Sequence, residues 1–219
     1  MRISHDHKFV FLSLPRSASL SIRRFLDPYS DIKSIKLADV TESSPFWHHT
    51  KAKRAQEIFS ERGWKWSAYK TFCLVRNPYD RLVSAYKKRW EKNYGVHVTG
   101  NYISDLKSIV RDAFLKRPSF ESYVHQNDPR KGYSISIEEF AHDGCGQMLV
   151  DNVLKFENLP KNVIKYAETE LGLEVSKRRL KHLHKSNRKV EYKKWYNEKT
   201  KQILQKKYKM EINKFEYEF

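Results

Sequence analysis

Phe9-Val-Phe-Leu-Ser-Leu-Pro15-Arg16-Ser17-Ala18-Ser19-Leu20-Ser21-Ile22 opens on a near-continuous apolar run and breaks at a proline into a hydroxyl-rich turn. The run has the pattern of a short strand covered on both faces, and Pro15 prevents its simple continuation. Beyond the turn, Ala18, Ile22, Phe25 and Leu26 recur at helical spacing, with Ser17 or Ser19 suited to cap the first turn. Further along, Phe72-Cys-Leu-Val-Arg76-Asn77-Pro78-Tyr79-Asp80-Arg81-Leu82-Val83-Ser84-Ala85-Tyr86 repeats the plan. Tyr69 to Val75 reads as a second buried strand. Its exit carries helix-start chemistry: Asn77 as N-cap, Pro78 at the first helical position and Asp80 in the first turn. In the helix that follows, Tyr79, Leu82, Val83, Tyr86 and Trp90 form one apolar stripe. Ser84 falls off it, on the side of Arg81 and Lys88, where it is expected to be free to meet a ligand.

Outward from these two units the pattern continues. One strand is expected around Ile35 to Val40, and a helix from about Thr50 to Arg62 with Gly63 as its stop. Leu106, Ile109, Val110, Ala113 and Phe114 mark an amphipathic helix in the otherwise irregular stretch from 92 to 150. Asn152 to Phe156 reads as a strand, Asn162 to Leu171 as a helix ended by Gly172, and Asn197 to Lys207 as the last helix. Strands alternating with helices argue for an α/β protein with a parallel sheet and crossover helices. With 219 residues and no linker-like stretch, one domain over 1–219 is expected.

Lys and Arg number 43 against 26 Asp and Glu, a formal net charge of +17, which favours anionic partners without saying which. Nucleic acid is open on charge alone, but no RNA- or DNA-binding motif is visible. Cys73 and Cys145 form no CxxC, so neither a disulfide framework nor a structural zinc site is indicated. Cys73 lies in an apolar run as a small core residue. No stretch approaches the roughly 20 apolar residues of a membrane span, and Met1 to Lys8 lacks the apolar segment of a signal peptide. A soluble, cytoplasmic chain is expected.

An anion at a helix N-terminus meets unpaired backbone N–H groups and the positive end of the helix dipole. Ser17, Ser19 and Ser21 add hydroxyl donors, and Arg16 adds a planar fork that matches phosphate or sulfate. In a parallel sheet both strands deliver their carboxyl ends, with Arg16 and Arg76, to one edge. Two phosphate sites close together suggest a nucleotide phosphorylated at two positions. GxxxxGK[ST] is absent, so the ordinary ATP or GTP reading, and with it a P-loop kinase, fails at the glycines and the lysine.

Pro15-Arg16-Ser17-Ala18-Ser19-Leu20-Ser21 resembles the 5′-phosphosulfate loop of sulfotransferases that use 3′-phosphoadenosine 5′-phosphosulfate (PAPS). The stretch from Arg76 to Ser84 closely resembles their 3′-phosphate motif. Val153-Leu-Lys-Phe-Glu157-Asn-Leu159, His182-Leu-His-Lys-Ser186 and the aromatic tail from Phe215 to Phe219 resemble the carbohydrate, Golgi-type family 2-like branch. Together these implicate most of the chain outside 92–150. The resemblance implies a P-loop-NTPase-like three-layer α/β fold, with a central parallel sheet flanked by helices. It implies PAPS as the sulfuryl donor with no metal, and an acceptor hydroxyl, first on a carbohydrate, with an anionic glycan favoured by the charge, and otherwise on another hydroxyl compound such as a protein tyrosine or a small alcohol. Many family members carry Lys, Gly and Thr where Arg16, Ser19 and Leu20 stand here. The exchange keeps a cation, removes backbone freedom and one hydroxyl, and leaves Ser21 as the expected 5′-phosphate ligand.

By the same resemblance Arg16 stabilises the leaving phosphate. It acts by charge and hydrogen bonding, since arginine gives up no proton near neutral pH. A general base should be uncharged near pH 7, which favours histidine. Trp47-His48-His49-Thr50-Lys51-Ala52 resembles the family's HxT segment; the spacing selects His48, and a one-residue slip selects His49. Glu157 is the fallback base, although its place in a strand-like run suits a structural role. Ser186, Arg188 and Lys189 are candidates to close over the nucleotide, and Trp64, Trp66 and Trp90 to stack on adenine or sugar, unless they serve as solvated charge and core respectively. A non-catalytic polyanion- or nucleic-acid-binding protein on the same scaffold is the alternative, recognisable by strongly salt-dependent binding.

Overall fold

The computed structural model describes residues 1–90, 118–125, 135–175, 180 and 192–219. The stripe from Leu106 to Phe114 and the basic loop from His182 to Lys189, with Ser186, Arg188 and Lys189, lie outside the described residues.

β1 (Arg2–Ser4) and β2 (Phe9–Leu12) form an antiparallel pair, with Arg2 opposite Phe11. β3 (Ile32–Lys33) joins the other side of β1, again antiparallel. β4 (Lys70–Val75) runs parallel to β2 with Cys73 opposite Leu12, and β5 (Asn152–Lys155) runs parallel to β4 with Lys155 opposite Val75. The sheet order is β3-β1-β2-β4-β5. The parallel sheet expected from the sequence is therefore present with one reversed strand, β1, antiparallel to both of its neighbours. Register aligns the carboxyl ends of β2, β4 and β5 along one edge, where ligands bind in open α/β sheets.

Eight α-helices are described: α1 (Ser19–Leu26), α2 (Ala52–Glu61), α3 (Pro78–Trp90), α4 (Phe120–His125), α5 (Ile137–Ala141), α6 (Lys161–Thr169), α7 (Glu198–Lys207) and α8 (Lys209–Lys214). They and the sheet fall into two compact units, Met1–Asn77 with Ile135–Arg188, and Pro78–Ser134 with Lys189–Phe219.

In the first unit every residue of β2 is buried, so the sheet is covered on both faces. Phe9, Phe11, Phe72 and Leu74 cluster with Ile22, Phe25 and Leu26 of α1 and with Val163, Tyr166 and Ala167 of α6. Val10, Leu12, Cys73 and Val75 alternate with them toward the opposite face and are buried too. Gly63 stops α2 as expected. At φ 70 it takes the left-handed conformation, and Trp64 N–H reaches back to the Phe59 carbonyl at 2.8 Å. No strand forms at Ile35 to Val40. That stretch makes a single bridge from Ile35 to Trp47 and one 3-10 turn, Leu37–Asp39. Residues 36–44 are all exposed, and a strand without a buried face has little to hold it.

In the second unit Tyr79, Leu82, Val83 and Tyr86 of α3 pack with Phe120, Tyr123, Leu204 and Tyr208, so the expected stripe is a core face. The opposite side is not free. Arg81 is 1% exposed and gives both terminal nitrogens to Glu211 of α8, at 2.6 and 2.9 Å, while Ser84 is fully buried. The expectation that Ser84 shares an open side with Arg81 fails because α8 brings an acid onto that face to match the arginine.

Candidate functional site

The turn after β2 is shaped by backbone rather than by caps. Arg16 (φ 66) and Ala18 (φ 57) both adopt the left-handed conformation, which costs a non-glycine residue on the order of 1–3 kcal/mol. Ala18 is the N-cap of α1 and caps with no side chain, so neither Ser17 nor Ser19 plays the capping role expected of them. Ser19 is the first helical residue, and its hydroxyl donates to the Leu14 carbonyl at 2.7 Å, which engages its proton inside the turn. Serine in place of glycine at position 19 therefore removes no conformational freedom that the loop uses; the demanding positions are 16 and 18. Pro15 and Ser21 are buried, and Leu20 is half-buried with only its backbone to offer an anion.

Ser17 stands apart. It is 1% exposed, and its Oγ is the one buried side-chain polar atom among the described residues with no hydrogen-bond partner. An unsatisfied buried hydroxyl costs about 1–3 kcal/mol, and such an atom in a native fold calls for a cause. Beside the helix N-terminus this hydroxyl is placed where it can donate to an anion.

The second segment converges on this turn. Arg76, just past β4, donates from Nη1 to the Arg16 carbonyl at 3.1 Å, and its guanidinium lies 4.3 Å from the centre of the Phe156 ring. Asn77 N–H donates to Glu157 Oε1 at 2.7 Å. The ends of β2, β4 and β5 are thus tied to one another by Arg16, Arg76, Phe156 and Glu157. Glu157 anchors the second segment's backbone, which is the structural role its position suggested. Ser84 belongs to the second unit.

The two histidines part company. His49 Nδ1 lies 2.6 Å from the Ser13 carbonyl, at the end of β2 and three residues before Arg16. A carbonyl only accepts, so Nδ1 carries the proton and Nε2 is left as the unprotonated base. His48 Nδ1 meets Ser34 Oγ at 3.1 Å, and its backbone N–H bonds the Ile35 carbonyl at 3.0 Å. Spacing pointed first to His48; the fold brings His49 to the turn. Burial, and after it the Arg23 charge, lowers His48 to about 4. Burial also lowers His49 to about 4, only partly offset by the Ser13 carbonyl, so both rings are neutral at pH 7.

Arg23 was not singled out by the sequence. It is 7% exposed and donates from Nε to the Ser19 carbonyl at 3.3 Å, placing a buried cation under the first turn of α1. Burial and the neighbouring Arg2 lower its pKa to about 10, which still leaves it charged. The available signal was its spacing of four from Ser19 on one helix face. Trp64 and Trp66 lie edge-on to Phe59 at 5.3 and 4.9 Å, and Trp66 Nε1 donates to the Leu149 carbonyl at 3.1 Å, so both serve the core around α2.

A mostly parallel sheet flanked by helices, with its strand tips gathered at one edge, is an α/β architecture of the P-loop-like kind. A sequence model of the sulfotransferase family matches residues 1–218, and the chain belongs to that family. It is accordingly a transferase of sulfuryl groups, as the resemblance implied. No match was found among curated proteins or among solved structures. Among the described residues, no helix is long and apolar enough to cross a membrane, and no group of three or more His, Cys, Asp or Glu is placed to hold a metal ion.

Proposed function

We propose that the chain, as one domain over 1–219, transfers the sulfuryl group of PAPS to a hydroxyl on a carbohydrate. The observation that carries the reading is the bond from Arg76 to the Arg16 carbonyl, which joins the two phosphate-type segments at one sheet edge. Ser17 Oγ supports it as an unengaged donor suited to the 5′-phosphate, toward which Ser21 is the other candidate hydroxyl, while Arg76 suits the 3′-phosphate.

His49 Nε2 takes the proton of the acceptor hydroxyl as that oxygen bonds to sulfur. The bond from sulfur to the bridging phosphate oxygen breaks, and adenosine 3′,5′-bisphosphate leaves with the electron pair. Arg16, with Arg23 behind the turn, stabilises the charge that grows on the leaving phosphate. A base with a pKa of about 4 is weak in the free protein. The negative charges of a bound nucleotide raise it toward neutrality, where proton transfer is efficient.

Calorimetry with adenosine 3′,5′-bisphosphate against ATP tests the donor site directly. The bisphosphate should bind and ATP should bind far more weakly; equal affinities remove the basis for a 3′-phosphate site. His49→Ala should abolish most turnover with bisphosphate affinity intact, and His48→Ala should act mainly on stability. The reverse pattern returns the role to His48.

A further inference from the structure

Beside the turn that carries the histidines lies a groove of about 570 Å³, within the size range of small-molecule sites. Leu37, Val40, Pro45 and Trp47 line one part of it, and Arg54 and Glu61 of α2 another. We propose that this groove is the acceptor subsite and takes an uncharged sugar ring bearing an apolar substituent, an inference that rests on the sulfotransfer reading above.

Position is the first argument. Thr50 Oγ1 accepts from Trp47 N–H at 3.0 Å and donates to the Trp47 carbonyl at 2.9 Å, so Trp47 to Thr50 is one closed turn. Its two ends, Trp47 and Thr50, line the groove. Between them His49 reaches the Ser13 carbonyl, with its ring edge-on to Trp47 at 5.4 Å. The groove and the proposed base therefore meet at Trp47, which lines the groove and whose ring lies against that of His49.

Chemistry is the second. Leu37 and Val40 are 63% and 38% exposed, and with Met210 they are the large apolar side chains left exposed among the described residues. Two of those three thus belong to this groove. An apolar rim beside an indole suits a ligand with one apolar face and a hydroxyl edge, which is the character of a pyranose with an alkyl or aryl group.

Charge is the third, and it departs from the anionic acceptor that the overall +17 suggests. The charged lining is two arginines and two glutamates, Arg54, Arg62, Glu42 and Glu61. Arg54 is paired with Glu57 and Glu61 at 3.2 and 2.8 Å, and Arg62 donates to the carbonyls of Glu42 and Ser43 at 2.8 and 3.3 Å. A sulfated glycan would meet two carboxylates and cations already engaged; a neutral glycoside meets no such penalty.

The test uses octyl β-D-glucoside below its micelle concentration, titrated calorimetrically into the full chain and into Leu37→Glu/Val40→Glu, a variant altered only at exposed positions. The double variant should bind the glucoside at least about tenfold more weakly and raise its KM in sulfate transfer without lowering kcat. Its bisphosphate affinity and thermal midpoint should stay unchanged. Glucoside binding that is absent, or indifferent to positions 37 and 40, overturns the assignment, as does tighter binding of a sulfated disaccharide at the same residues. Loss of bisphosphate binding in the wild-type chain counts instead against the sulfotransfer reading alone.

Discussion

The turn from Pro15 to Ala18 and the helix from Pro78 to Trp90 both carry motif arginines and serines, yet they treat those groups in opposite ways. In the turn, Ser17 Oγ is buried without a partner, and two non-glycine residues hold left-handed backbone. On the helix, Arg81 is equally buried, but both its terminal nitrogens are matched by one carboxylate of α8. The first arrangement leaves a donor unmatched and the backbone strained. The second resolves its charge inside the protein and serves architecture. Burial of a polar motif residue is therefore no guide to its role until its partner is identified.

The contrast is most directly broken at Arg81. Arg81→Ala leaves the Glu211 carboxylate buried and unpaired, and should cost about 3–5 kcal/mol in urea unfolding. Arg81→Met with Glu211→Leu should recover most of that loss. A mild effect of the single change would mean that water or another group already satisfies Glu211. Arg76→Ala should weaken adenosine 3′,5′-bisphosphate by on the order of 2 kcal/mol, as expected for a charge-assisted contact, and should lower stability by about 1 kcal/mol through loss of the bond to the Arg16 carbonyl. Unchanged affinity by calorimetry would take Arg76 out of the donor site.

Ser17→Ala sharpens the comparison because its two effects have opposite signs. Removing an unsatisfied hydroxyl should leave the free protein as stable or more stable, while bisphosphate binding weakens by about 1 kcal/mol. A destabilised variant would show that Ser17 has a protein partner after all. The smallest effect is a displacement along the pH axis. His48 and His49 are lowered from the ordinary 6.5 to about 4, so the unfolded chain binds their protons first as pH falls. The stability they contribute is fully present above pH 6.5 and is lost between there and about 4. The acid limb of kcat/KM, which reports the free enzyme, should likewise lie near 4, with that of kcat above it. An acid limb of kcat/KM at the ordinary histidine value would remove His49 as the base.

Much of this was legible locally. Apolar runs ended by Pro15 and Arg76 located β2 and β4, and Gly63 marked the end of α2, because strand burial and helix termination depend on neighbours a few residues away. The capping expectation failed at Ser17 and Ser19 because the left-handed conformation of Arg16 and Ala18 leaves no periodic trace in the sequence. The choice between His48 and His49 was illegible because it depends on which ring faces Ser13, 36 residues from His49. The burial of Arg81 and Ser84 on α3 was illegible because the partner of Arg81 is Glu211, 130 residues away.

By itself, then, the sequence determined the strand-turn-helix units, the cation at each turn and the family to which those motifs are similar. Such features are written in periodicity and in residue types that act within a turn or two. Tertiary structure alone decided which hydroxyl stays unengaged, which histidine meets the loop, which arginine is neutralised and where a groove opens beside Trp47. Each of these depends on partners distant in the chain, and burial gives them their energy: away from water, a polar group is either matched by the fold or left ready for a ligand.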